Sequence, residues 1–150
     1  MYTKQEISKQ KQAFWTAFGR YMKPVLSADG EAISWMNYKT GNKHISFKMD
    51  ADSRQARIAI VVRDPDGGGY FDRLLQMKDI FYDTLGELGW DWERDSADEQ
   101  GRVVSVIQKK LMGVNVLKNE DWPAIISFLK PRIIALDSFW SMVRYQFSNL

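Results

Sequence analysis

Apolar residues recur at two periods along the chain, and the alternation between them divides it into helices and hairpins. Ile7, Phe14, Trp15, Phe18, Tyr21 and Met22 fall at helical spacing and form one stripe. Thr3-Lys4-Gln5-Glu6 in front of them is a capping box, and Pro24 behind them disfavours α geometry at the preceding residue. A first helix over about 4–22 is predicted. Trp35 to Gly41 fits neither period and reads as an irregular strand or a loop. Strict alternation follows: Ile45, Phe47 and Met49, then Ala56, Ile58, Ile60 and Val62, joined by the polar turn Asp50-Ala51-Asp52-Ser53. That is a β-hairpin.

Asp64-Pro65-Asp66-Gly67-Gly68-Gly69 breaks the second strand, because proline lacks a ladder donor and glycine has no side chain to pack. Phe71, Leu74, Leu75, Lys78, Phe81, Tyr82, Leu85 and Leu88 then predict one second helix, capped by Gly89. Trp90 and Trp92 alternate with Asp91 and Glu93, and after the turn Asp95 to Gly101 the run Val103 to Ile107 is their partner strand, with room to continue towards Leu111. Asn119 or Asp121 can cap a last helix carrying Trp122, Ile125, Ile126, Leu129, Ile133, Leu136, Trp140, Val143 and Phe147. Pro131 inside it predicts a kink or short break near Lys130.

A shift of 45 residues aligns Phe47–Val62 with Trp92–Ile107 without a gap and matches Asp50 with Asp95, Gln55 with Gln100, Arg57 with Arg102 and Val61 with Val106. A helix followed by two ββα units is one reading of this, and shared turn chemistry in two unrelated hairpins is the other. Either way the expected fold is α+β: an antiparallel sheet of two hairpins with helices on one face. The 150 residues suit a single domain, 1–150. With no cysteine, disulfides, thiol nucleophiles, iron–sulfur clusters and thiolate zinc sites are excluded. No apolar run reaches the ~18–20 residues that span a bilayer, and the N-terminus is polar, so a cytoplasmic protein with no membrane partner is expected.

Several aromatic and glycine positions together resemble a family. Phe14-Trp15, then Trp35-x-x-Tyr38-Lys39-Thr40-Gly41, Gly86-x-x-Gly89-Trp90, and Gly113-Val114-Asn115-Val116 before Asp121-Trp122 are similar to the bacterial family of domains of unknown function numbered 4268. The resemblance covers nearly the whole chain. It implies a fold more than a chemistry, since the family carries no assigned activity and these are packing residues. It also implies an occasional restriction-endonuclease-like neighbour, for which 150 residues leave no room.

The letters themselves argue against such a nuclease. Pro65-Asp66 supplies half of a PD-(D/E)-x-K site, but no lysine has Asp or Glu two residues before it. The triple glycine is neither a dinucleotide fingerprint nor a P-loop, and Asp64, Asp66 and Asp72 around it would repel a phosphate. Read as a calcium loop, the same stretch has Gly68 and Leu75 where ligands should fall. His44 is the single histidine, so two-histidine zinc sites are excluded. No catalytic residue, metal ligand or cofactor is assigned. Asp91, Glu93 and Asp95, opposite the tryptophans, read as a solvated strand face.

Charge is unevenly distributed: residues 1–63 carry 11 Lys/Arg against 5 Asp/Glu, residues 64–100 carry 3 against 11, and residues 101–150 carry 7 against 3. Such segregation suits self-association through complementary surfaces, an anionic partner, or no partner at all. The leading expectation is a non-catalytic binding or assembly module, homo-oligomeric or with a protein partner. The alternative is a nucleic-acid-associated accessory domain, for which Lys39, Lys43, Lys48 and Arg57 would meet phosphates, His44 would lie beside them, and Trp35 or Tyr38 would stack on a base.

Overall fold

A computed structural model describes residues 2–148 and 150. The first helix, α1, spans Lys4–Met22, and the Thr3 hydroxyl accepts from the Glu6 amide at 3.1 Å, as a capping residue should. Two strands follow, β1 (Ile45–Ala51) and β2 (Gln55–Val62), then two short helices, α2 (Tyr70–Gln76) and α3 (Lys78–Leu85). Strands β3 (Asp91–Ala97) and β4 (Val103–Met112) come next, and a 3₁₀ turn leads into α4 (Trp122–Val143).

All four strands form one antiparallel sheet in the order β1-β2-β4-β3, so the two hairpins meet through their second strands. In the central ladder Ile60 lies opposite Ile107 and Ile58 opposite Lys109. Alternation sends Ile45, Ile58, Ile60, Val62 and Ile107 to one face, where they join Phe14 and Phe18 of α1, Phe81 of α3, and Leu129, Leu136 and Phe139 of α4 in one buried cluster. Each large apolar side chain so buried contributes roughly 1.5–3 kcal/mol. Helices therefore cover one face and leave the other open, as the period-2 pattern of both hairpins requires.

Four local expectations are corrected. The second helix is two, because Met77 (φ −103°, ψ 16°) interrupts the α ladder. Its C-terminal cap is Gly86, in the left-handed region at φ 67°, and Leu88 beyond it is exposed instead of continuing the apolar stripe. Helix α4 runs from Trp122 to Val143 without a break at Pro131. Pro131 and Ser127, one turn earlier, are both exposed, so solvent can take the carbonyl that the missing N–H leaves free.

The ββα order does recur, but the 45-residue register does not. Asp50 lies opposite Arg57 across β1–β2. Their aligned counterparts are separated, with Asp95 in a bulge between Glu93 and Ser96 and Arg102 in the turn beyond, where it pairs with Asp98 at 2.8 Å.

Candidate functional site

The face of the sheet away from the helices is not an ordinary solvated surface. Its middle is a strip of small aliphatic residues, Ala59 and Val61 of β2 with Val104 and Val106 of β4, all buried although no helix lies on that side. The β3–β4 hairpin accounts for the cover. Asp95 takes a left-handed conformation (φ 56°), its amide donates to Ser105 Oγ at 3.2 Å, and the bulge bends β3 so that the hairpin tip curls over the sheet. The tip is tied there by ion pairs: Glu99 with Lys48 of β1, and Asp98 with Arg63 at 3.8 Å. Asp98 also orders the tip itself by accepting from the Gln100 and Arg102 amides, each at 2.9 Å.

Between tip and sheet lies a cavity of about 520 Å³, bounded by Ser46, Lys48 and Asp50 on one side and by Ala97, Asp98 and Glu99 on the other. Arg57 stands in its wall, donating to Gln108 Oε1 at 2.6 Å and to Asp50 Oδ2 at 3.2 Å. Directly opposite Arg57 in the β2–β4 ladder is Lys110, exposed and without an ion-pair partner among the described residues. Like charges facing each other across a ladder are destabilising, so Lys110 is a local cost beside an Arg57 that braces Gln108 and Asp50. Lys48 holds the Glu99 carboxyl below the usual range, chiefly by its hydrogen bond. Asp98 is likewise lowered: burial raises it, but the hydrogen bonds from Arg102 and Gln100 outweigh that.

The seven residues singled out as an anion- or base-binding set do not form one surface. Lys48 and Arg57 reach the cavity under the tip. Trp35 is buried at 3% exposure, its indole N–H donating to Val25 O at 3.0 Å, so it cannot stack on a base. Tyr38 is half-buried, and its hydroxyl donates to Asp137 at 2.5 Å. His44 packs against Tyr70 with ring centres 4.7 Å apart, and its Nδ1 lies 3.0 Å from Arg63 O. Lys39 and Lys43 are exposed on the loop before β1.

Tyr38 and Lys39 instead line a second cavity, of about 340 Å³, with Asp29, Asp137 and Arg144. Sequence patterning missed Asp137, a buried carboxylate on the apolar side of α4. Its oxygens accept from Tyr38 and, at 2.7 Å, from the Ala28 amide, so it staples the long 23–44 connection to α4. Burial, then the hydrogen bond to Asp137, pushes the Tyr38 phenol far above its usual range. The signal available in the sequence was a lone carboxylate between Leu136 and Phe139, on a helix whose other charges are Lys130 and Arg132.

The glycine-rich connector also has a defined role. The Asp64 carboxylate accepts from the Tyr70 amide at 2.8 Å and from Phe71 at 3.3 Å, standing where a phosphate at the start of α2 would have to sit. Among the described residues no three His, Cys, Asp or Glu side chains are grouped so as to hold a metal, and no helix is long and apolar enough to cross a membrane.

A family model described as Domain of unknown function (DUF4268) matches residues 10–144. The chain belongs to the DUF4268 family. The matched span takes in all four strands, the curled tip and all of α4, so the open face lies wholly inside the DUF4268 region. No curated protein and no solved structure matches the chain.

Proposed function

We propose that this DUF4268 domain is a binding module whose working surface is the open face of the sheet. One observation carries the reading: a cavity of about 520 Å³ floored by buried aliphatic side chains and walled by convergent charged ones, on the face that the helices leave free. Concave sites with an apolar floor and a few oriented polar groups are where proteins hold ligands and partner segments. The nucleic-acid reading has less behind it. Of the residues nominated for it only Lys48 and Arg57 reach this face, and both are already paired with carboxylates of the chain.

The test is a titration of isotope-labelled protein followed by NMR, with an acidic peptide, a basic peptide and a single-stranded oligonucleotide as probes. The reading predicts that at least one probe shifts resonances of Ala59, Val61, Val104 and Val106. Probes that shift only residues elsewhere, or none at millimolar concentration, reject it. Light scattering on the same samples separates a second copy of the chain from the added probe as the occupant.

A further inference from the structure

We propose that the open face takes an acidic peptide segment, and that the β3–β4 tip, through Asp98 and Glu99, is its built-in competitor. The inference rests on the binding reading above and adds the chemistry of the occupant. Four cations converge on this face: Lys48, Arg57, Arg63 and Lys110. Two of them, Lys48 and Arg63, are met by carboxylates that the tip delivers from the far edge of the sheet. Arg57 is held by Asp50, while its cross-strand neighbour Lys110 has no ion pair among the described residues.

The opposed Arg57 and Lys110 and the tip carboxylates, half-buried Asp98 and exposed Glu99, that pair with cations of the sheet are independent features that point the same way. The first leaves Lys110, unlike the braced Arg57, as a positive charge with no ion-pair partner among the described residues, and the second shows what kind of group satisfies such a site. What occupies two of the four cations, Lys48 and Arg63, is an acidic dipeptide on a turn, lying over an aliphatic floor. A long polyanion fits less well than a short acidic segment, because Asp50 and Glu93 in the same wall already balance two of the four cations. Once the tip is displaced, charge is left for only a couple of incoming carboxylates. Ion pairs of this exposure are weak individually, so an incoming segment can displace the tip without unfolding the sheet.

The experiment compares wild-type protein with Glu99→Gln and Lys110→Glu by NMR titration with a Glu-rich peptide, a Lys-rich peptide and a single-stranded oligonucleotide at low salt. Both substitutions are at exposed side chains, and unchanged resonances of the core residues Ile58, Ile60 and Ile107 certify the fold. The Glu-rich peptide should bind tightest and shift the aliphatic floor. Glu99→Gln should tighten it about two- to fivefold, the range of one exposed ion pair, and Lys110→Glu should weaken it by at least as much. Unchanged or weaker binding by Glu99→Gln overturns the competitor role. Preference for the Lys-rich peptide or the oligonucleotide at this face overturns the acidic-peptide class and leaves the binding reading standing, whereas shifts confined to other faces overturn both.

Discussion

The two hairpins share a sheet, an alternation pattern and an apparent 45-residue repeat, yet they do different things. In the β1–β2 hairpin the strands stay in register to the turn, and Asp50 answers Arg57 directly across the ladder. In the β3–β4 hairpin a bulge at Asp95 breaks the register, and the acidic tip crosses the open face to reach Lys48 and Arg63. The same residue types serve one hairpin as an internal brace and the other as a contact to the rest of the sheet. The change of use accompanies one left-handed residue, Asp95, and the bulge around it.

Breaking the helix-covered face should treat both hairpins alike. Ile60 and Ile107 are opposed and buried to 1% and 0% exposure, so Ile60→Ala and Ile107→Ala should each cost about 2–5 kcal/mol in urea denaturation, in a single transition. A cheap Ile107→Ala would mean that the second hairpin is not built into the same core. The arginines should then separate the two hairpins. Arg57→Ala leaves buried Gln108 without its donor and should cost about 1–3 kcal/mol, while Arg102→Ala, at an exposed turn, should cost under about 1 kcal/mol.

At the bulge, Asp95→Val should cost about 1–2 kcal/mol, because a β-branched residue resists positive φ, and it should loosen the tip. The smallest effect is that of pH. Glu99 and Asp98 have folded-state values below their ordinary ones, so their contribution is complete above the ordinary carboxylate range and is lost as pH falls through the lowered values. Amide exchange at 98–102, corrected for intrinsic rates, should therefore accelerate on acidification below about pH 4.

Much of the fold was legible in the letters. Thr3 and Pro24 bracket α1 because capping and proline sterics are local, and both hairpins were visible because a half-buried strand must alternate. What escaped depended on distant partners. Trp35 has no periodic neighbours, yet it is buried because Val25 O takes its N–H and the core receives its ring. Asp137 becomes intelligible only once Tyr38 and Ala28, about a hundred residues away in sequence, are brought to it. The candidate site was half legible for the same reason. Lys48 and Arg57 stood out as basic strand residues, but a period-2 reading assumes straight strands and cannot see a tip that folds back.

Solvent paramagnetic relaxation of the methyl groups tests the central claim most directly, namely that the curled acidic tip covers a built cavity on the open face. With a neutral soluble probe at low salt, Ala59, Val61, Val104 and Val106 should be shielded nearly as well as Ile58, Ile60 and Ile107. In Glu99→Gln, or in molar salt, relaxation of the four open-face residues should rise while that of the three core residues stays fixed. Methyls of Val61 and Val104 that are as fully relaxed in the wild-type protein as those of exposed Val103 would contradict the account.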